Sequence, residues 1–582
     1  MGIRKKSRFK LVILRPRHEF EKGAKPLNQS KVLYFLVVSP LVGSSNHVIA
    51  SQQIPDAGQI IDQLNESTVT PKEGFIAPLV KPKVHQELKH GGITVKINEI
   101  TINGNTAFSD QELLSHLNAT GKEYDFSGIR SLANQIMDFY QAKGYPFSRA
   151  FIPAQQIEKG QLHIEVIEGY YGESSVFIDD EDKTYTQSAE MYLADLEAGK
   201  IIKGDELERT TLILSDQPGY YYVPVIRPGK NIGEGDLIVK AIPQKKYGGK
   251  IRIDNNGNRY TGRGRIELSS HVNGSLTFGD KIDSVLVYTE EHMWFGSITY
   301  SLPLNPSGLR GNISGQRTAY ELGKEFDSLE AYGTAEIISF GMSYPLIRSQ
   351  KNNLSISTTF QKKWLEDVQG IASSTSKKSS QTMVNSLSYD NRDPYFGGGI
   401  TYGAISWTHG KVKLDDNLMV LDRATANTAG VFDKINLDIA RIQALPIKDW
   451  SLYLHITAQK SYENLDSSED FGLGGPNGVR SYPTGESYGD EGILGQIEFR
   501  YAYNSNLNYY FFYDYGHTKT NKTTWSDTDN DRSIGGAGVG IRANYGQLNA
   551  DSVLAWRHIG GDPQSDSRIT IPMFWLNFSY NF

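Results

Sequence analysis

Cysteine is missing altogether from the 582 residues. Disulfides, thiolate metal sites, a cysteine nucleophile and a lipid anchor on an N-terminal cysteine are thereby excluded. Beyond the N-terminal region there is no apolar run of about 18 residues, the length a helix needs to cross a bilayer. Charge of neither sign dominates: 60 Lys and Arg against 66 Asp and Glu give a formal net charge of −6, which offers nucleic acid no electrostatic attraction. No H-E-x-x-H occurs and the 12 histidines are scattered. No metal or cofactor is expected.

The abundant residues are glycine (57), tyrosine (33) and phenylalanine (24). A mean hydropathy of −0.42 would ordinarily indicate a soluble protein. Strands of a membrane barrel, however, alternate lipid-facing and lumen-facing residues, so their average hydropathy is low as well. Glycine suits tight turns and the aromatics suit interfacial girdles. A soluble all-β protein shares that bias, so the residue pattern has to decide.

Residues 1–50 have the build of a secretion signal. Arg4, Lys5, Lys6, Arg8, Lys10, Arg15 and Arg17 form a long basic region, Val32–Val42 an apolar core too short to span, and Val48-Ile49-Ala50 the cleavage positions. Residues 51–92 read as a short helix and a linker. Ile60, Ile61 and Leu64 form one small apolar face, and Pro71, Pro78 and Pro82 keep the following chain extended.

From 93 to 170 the order is β-α-α-β-β. One strand carries Val95, Ile97, Ile100 and Ile102, with a shift of alternation, and ends at Asn103-Gly104-Asn105. Ser109 and Glu112 suit a capping box for a helix through Leu117. A second helix with Ile129, Leu132, Ala133, Ile136 and Tyr140 on one face stops at Gly144, and strands follow at Arg149–Pro153 and Gln161–Ile167. Residues 171–247 repeat the plan loosely, with a strand near Val176, helices at Ala189–Leu196 and Glu206–Leu214, and strands at Tyr220–Arg227 and Asp236–Ala241.

From 248 to 582 the signal is β only. Segments of about ten residues alternate in polarity, among them Arg263–His271, Trp294–Leu304, Leu354–Trp364, Ile400–Thr408, Lys434–Leu445, Leu452–Lys460 and Ile493–Tyr503. In Leu507–Gly516 one face is Leu507, Tyr509, Phe511, Tyr513 and Tyr515, and the other Asn508, Tyr510, Phe512, Asp514 and Gly516. The last strand puts Phe574, Leu576, Phe578, Tyr580 and Phe582 on one side. Polar residues on the opposite face in strand after strand fit a hydrated lumen rather than a dry core. The expected fold is a membrane all-β barrel of about sixteen antiparallel strands, preceded by two small α/β domains and a plug helix.

These features resemble the two-partner-secretion transporters, the ShlB/FhaC/HecB or TpsB family, and the α/β modules resemble POTRA domains. The similarity is carried by Leu207-Glu208-Arg209 through Asp216-Gln217-Pro218-Gly219, Arg227-Pro228-Gly229, the start of the barrel at Asn255–Arg263 and Tyr300-Ser301-Leu302-Pro303-Leu304. Gly478-Val479-Arg480-Ser481-Tyr482 and Phe512-Tyr513-Asp514-Tyr515-Gly516 are more specific. In that family the tip of a long extracellular loop folds back into the barrel and its arginine pairs with an aspartate of the inner wall. The resemblance places Arg480 and Asp514 at those positions, and the alternation independently puts Asp514 on the lumen face. Ser481 stands where the family usually has Gly, a strained choice if the position needs φ > 0.

The resemblance implies a bacterial outer-membrane translocator with periplasmic N-terminal domains. Its POTRA modules would capture an unfolded partner protein, a TpsA-like adhesin or hemolysin, which is exported through the pore and in some cases activated. The resting pore would be filled by the plug helix and the 461–490 loop. Further expected partners are outer-membrane lipid and the barrel assembly machinery, for which Phe582 would be the insertion signal. An outer-membrane assembly factor and a passive diffusion porin are the alternatives.

Catalytic motifs fail on inspection. Gly485-Glu486-Ser487-Tyr488-Gly489 spells G-x-S-x-G, but a loop precedes it and a strand follows, whereas a nucleophile elbow needs strand then helix. Asp527, Asp529 and Asp531 have calcium-loop spacing with Arg532 and Gly538 at the wrong positions. Gly274–Lys281 approximates a phosphate loop with Asp280 where Lys is required. No enzyme is expected.

Overall fold

The computed structural model describes residues 54–64, 70–72, 91–178, 183–527 and 529–582. Residues 1–50, which hold the expected signal segment with Val48–Ala50, lie outside the described residues. Residue 51 onward is one compact unit.

Helix α1, Ala57–Leu64, is followed by the first α/β module. Its sheet has the order Glu99–Asn103, Gln161–Ile167, Arg149–Phe151, the first pair parallel and the second antiparallel. Helix α2, Asp110–Leu117, starts where Ser109 turns extended and its Oγ accepts the Glu112 N–H at 3.3 Å. Helix α3, Phe126–Ala142, is capped by Asp125 and buries Ile129, Leu132, Ala133, Ile136 and Tyr140. The strand expected through Val95–Asn103 is in fact two. Val95–Lys96 pairs with Glu123–Tyr124, and the chain breaks at Asn98, whose N–H donates to Gly160 O at 2.8 Å. The shift of alternation between Ile97 and Ile100 marks that break, because a period of two cannot keep all four residues on one face.

The second module repeats the sheet: Tyr170–Ile178 lies parallel to Glu234–Pro243, which pairs antiparallel with Tyr220–Pro228. Helix α4 spans Lys183–Glu190 and a 3-10 turn continues it through Met191–Leu193. It therefore begins earlier than Ala189, where the sequence placed it. Apolar periodicity locates only the buried end (Ala189, Tyr192, Leu193, Leu196), since the polar first turns carry no such signal. Helix α5 spans Gly204–Ser215.

Sixteen strands from Tyr247–Asp254 to Met573–Asn581 close into an antiparallel barrel. The strand Leu507–Lys519 shows the logic: Tyr510, Phe512, Asp514, Gly516 and Thr518 are buried inside while Tyr509, Phe511 and Tyr515 face outward. Several strands exceed the expected length. Asn352–Gln369 has 18 residues and Ser374–Asp393 has 20, against about ten needed to cross a bilayer. The outer end of the second, residues 374–381, is polar on both faces, so hydrogen bonding extends beyond the point where the polarity pattern stops.

The seam is short. Asn577–Asn581 faces Asp254–Lys250, and above it Asn255 takes the place of a strand residue. Its side chain donates to Phe574 O at 2.8 Å and accepts from Leu576 N at 2.7 Å. Below, Phe582 and Gly249 exchange backbone bonds of 2.9 and 3.3 Å, and the Phe582 ring covers Gly249, where a Cβ would sit 2.5 Å from the ring. Gly249→Val should weaken closure by about 1–3 kcal/mol through overpacking. In a temperature series on gels the folded-to-unfolded shift should then occur at a lower temperature; an unchanged midpoint would mean the ring is not seated there.

Candidate functional site

The lumen is the candidate site. The α/β modules attach at one end of the barrel, here the proximal end, and the loop after the Trp450–Ser461 strand starts at the distal end and turns inward. Phe471–Gly472 pairs with Tyr488–Gly489 at its neck. The tip turns at Gly475, which adopts φ +106, and Val479 N–H donates to Leu473 O at 2.7 Å. Gly478 is packed so tightly that a Cβ would lie 2.0 Å from Leu473 O.

Beyond that turn Arg480 reaches the wall. Its Nε donates to Asp514 Oδ2 at 2.8 Å and its Nη2 to Oδ1 at 2.7 Å, a two-pronged contact reinforced by the backbone N–H at 3.1 Å. The guanidinium lies 3.5 Å from the centroid of the Phe512 ring. Gly516 leaves room for Leu473, whose side chain would sit 2.5 Å from any Cβ there. Phe512, Asp514 and Gly516 of the strand motif thus stack on the arginine, ion-pair with it and admit the loop. Tyr482 is fully buried and its hydroxyl lies 2.7 and 2.8 Å from Ile559 O and Gly561 O, which share its single proton.

Two sequence expectations change here. Ser481 does not adopt positive φ, so serine causes no backbone strain. Room for it comes from the strand beside Asp514: Gly536 stands in register with that aspartate, and a Cβ there would be 2.2 Å from Ser481 Oγ. Nor is the latch a simple pair. Glu498 accepts from Arg480 Nη1 at 2.5 Å, from Arg500 Nε at 2.7 Å and from Arg542 Nη1 at 3.2 Å. Alternation within Ile493–Tyr503 already puts Glu498 on the lumen face, and that was the available signal.

Helix α1 lies inside the barrel near the distal end. Ile60 and Ile61 are fully buried against Tyr260, Tyr320, Phe326 and Leu365, with Leu64 at the margin. Gly58 touches the loop, since a Cβ there would be 2.7 Å from Ser468 N. The anchors that apolar patterning could not reveal are polar. Lys378 Nζ contacts Asp56 and Asp466 at 2.9 Å each, Ser467 Oγ donates to Asp56 at 2.5 Å, and Ala57 N–H donates to Asp367 Oδ1 at 2.9 Å. Lys363 and Lys434 hold Glu469 of the same loop at 2.8 and 3.0 Å. Wall, loop and helix are therefore one polar assembly. Asn258, of the Asn255–Arg263 segment, joins it by donating to Thr484 O at 3.3 Å. A polar cavity of about 810 Å³ remains, lined by Asp62, Lys434, His455, Glu498 and Arg542 among others.

Past the helix, Lys72 N–H donates to Asp390 Oδ2 at 3.2 Å near the proximal end. There the Leu207–Gly219 segment docks on the barrel turns: Glu208 accepts from Gln350 N at 2.8 Å, Arg209 donates to Pro345 O at 2.8 Å, and Gln217 accepts from Arg310 at 2.7 Å. Asp216 takes both prongs of Arg348 at 2.9 Å.

The rejected motifs have structural partners. Asp280 fills its own turn, accepting from Ser275, Leu276 and Thr277 N–H at 2.6–3.0 Å and from Tyr300 OH at 3.0 Å. Burial alone would raise its carboxyl pKa, but these donors outweigh that and hold it below the usual carboxylate range. Ser487 Oγ meets Thr518 Oγ1 at 2.7 Å, and Asp527, Asp529 and Asp531 are exposed. Among the described residues no three His, Asp or Glu side chains are grouped to hold a metal ion.

A family model described as haemolysin secretion/activation protein ShlB/FhaC/HecB matches residues 233–543, and a ShlB-type POTRA domain model matches residues 95–169. The heme/hemopexin transporter protein HuxB of Haemophilus influenzae (strain 86-028NP) is 28% identical over 480 residues, covering 78% of this chain and 81% of that one. Among solved structures, CdiB from Escherichia coli superposes with a TM-score of 0.69 at 17% identity over 90% of this chain and 96% of that chain. BamA from Haemophilus ducreyi lacking POTRA domains 1–3 gives 0.50 at 12% identity over 84% of this chain and 100% of that chain. These two likenesses are of fold.

The arginine network generates a prediction. Arg480→Ala and Asp514→Ala should each cost the loop about 3–5 kcal/mol of docking, because each strands a buried charge. The double variant should be little worse than either single change, and Arg480→Lys should rescue poorly, lacking the fork. Transport across the barrel, normalised to barrel abundance in the membrane, reads this out; strictly additive losses would show that the residues act separately.

Proposed function

The chain belongs to the ShlB/FhaC/HecB family of haemolysin secretion/activation proteins, and we propose that its filled lumen is the resting state of a pore that opens when helix α1 leaves. The barrel stands in the outer membrane with its POTRA domains in the periplasm, and it exports a partner protein. The proximal end is accordingly periplasmic and the distal end extracellular.

The observation that carries the gating proposal is the way α1 is held. Eight residues are too few for a helix stable on its own, so α1 keeps its shape through Lys378, the Asp367 carboxylate that accepts its first N–H, a small apolar cluster and its contact with Ser467 and Ser468. It can leave as a unit without breaking any strand pairing. The Arg480 loop is the more firmly bound part, and in this reading Arg480, Asp514, Phe512 and Gly516, with Gly478, Val479, Ser481 and Tyr482, hold it against the wall. Unfolded partner, an adhesin or a hemolysin, adds to open sheet edges of the POTRA domains. Glu99–Asn103 and Tyr220–Pro228 are such edges, and main-chain pairing there tolerates many sequences. Folding of the cargo outside supplies the direction. Phe582, paired at the seam, delivers the chain to the assembly machinery. An assembly factor shares the barrel, but α1 inside the lumen favours transport through it.

The absence of cysteine allows a clean test. Asp56→Cys with Ser467→Cys should form a disulfide that pins α1 to the loop. Export should stop under oxidising conditions and return on reduction; undiminished export by the cross-linked protein would exclude departure of the helix. Deleting 93–243 should abolish secretion and leave a membrane-inserted, heat-modifiable barrel, whereas continued secretion would remove the POTRA domains from cargo capture.

A further inference from the structure

One basic patch on the outside of the barrel has no part in the lumen. In the strands Asn352–Gln369, Ser374–Asp393 and Gly399–Leu414, Lys362, Gln381 and Lys411 stand side by side in register, and the next rung outward is Trp364, Ser379 and Lys413. Lys411 and Lys413 are exposed, and Lys362 Nζ lies 5.0 Å from the centroid of the Trp364 ring. The neighbouring carboxylates are already engaged. Glu336 pairs with Arg317 at 3.2 Å, Glu366 with Lys377 at 3.2 Å, and Asp433 accepts from Trp407 Nε1 at 2.9 Å beside His409.

An apolar groove of about 570 Å³, lined by Lys362 and Lys411, starts level with them at Ile338, which pairs with Lys362, and runs toward the middle of the bilayer over Phe340, Phe360 and Met383. Ile338, Phe340 and Phe360 are exposed large side chains. Lys362 lies about ten residues from the periplasmic end of its strand, the length that crosses a bilayer. The lysines therefore mark the extracellular edge of the apolar band, with the groove inside the outer leaflet.

We propose that this groove binds a phosphorylated, multiply acylated glycolipid of the outer leaflet, with acyl chains along Phe340 and Phe360 and a phosphate held between Lys362, Lys411 and Lys413. The charge selects the ligand. Three clustered ammonium groups attract a dianionic phosphate, while a zwitterionic headgroup would bring its own cation to them. The site rests on the outer-membrane reading above, which cell fractionation tests separately.

The probe is purified lipid A, titrated into the full-length protein in detergent and counted by native mass spectrometry beside dephosphorylated lipid A and phosphatidylethanolamine. Wild-type protein should prefer lipid A, and Lys362→Gln/Lys411→Gln/Lys413→Gln should weaken that binding by about fivefold per lysine. Dephosphorylated lipid A should bind both proteins equally. Equal lipid A binding by wild type and variant would overturn the proposal, as would equal binding of lipid A and phosphatidylethanolamine by wild type. The substituted side chains face lipid, so a heat-modifiable variant barrel shows that any loss comes from the site and not from the fold.

Discussion

Arg480 carries its charge into the middle of a sixteen-stranded barrel, where only 4% of the residue is exposed. A guanidinium so placed must have its donors satisfied or the loop carrying it cannot stay. Asp514 takes two prongs, Glu498 a third, Phe512 offers its ring face, and the Arg480 carbonyl is satisfied by Trp575 Nε1 at 2.7 Å. Five positions on three strands and one loop are fixed by this requirement. Gly516 and Gly536 then follow as the places where the wall must be bare for Leu473 and Ser481 to fit.

With the tip fixed, the rest of the loop becomes a ledge for the helix. Asp466, Ser467, Ser468 and Glu469 face the wall lysines on one side and α1 on the other. Polar contacts also continue toward the periplasm. Asp216 of the second POTRA domain holds Arg348, which donates to Asn353 at 3.0 Å; Asn353 donates to Asp390 at 3.0 Å, and Asp390 accepts from Lys72 beyond the helix. The second POTRA domain and the segment that follows helix α1 therefore meet on one short run of side chains.

Much of this was legible in the sequence, for identifiable reasons. Strand alternation is a local property, and it placed Asp514 inside and the terminal aromatic stripe outside. Caps at Ser109 and the face of Ile129–Tyr140 are local too. The pairing of Arg480 with Asp514 came from family resemblance, since nothing in spacing brings a loop tip to a strand across the lumen. Glu498 was missed because a charge on a lumen face looks like any solvated one until its three arginines, from separate elements, are seen together. The anchors Asp56, Asp367 and Lys378 were missed because an eight-residue helix shows its apolar face in sequence but not its long-range ion pairs. The outer end of Ser374–Asp393 escaped because both of its faces are polar there, and Val95–Asn103 was merged because a two-residue pairing leaves no periodic trace.

The central claim is that α1 occludes the pore and is removable. Single-channel conductance of protein lacking residues 54–64, in planar bilayers beside the intact chain, tests it most directly. A large rise in open conductance with the barrel still heat-modifiable is the predicted result. Conductance equal to that of the intact protein would contradict the account, because the lumen would then be closed by the loop alone.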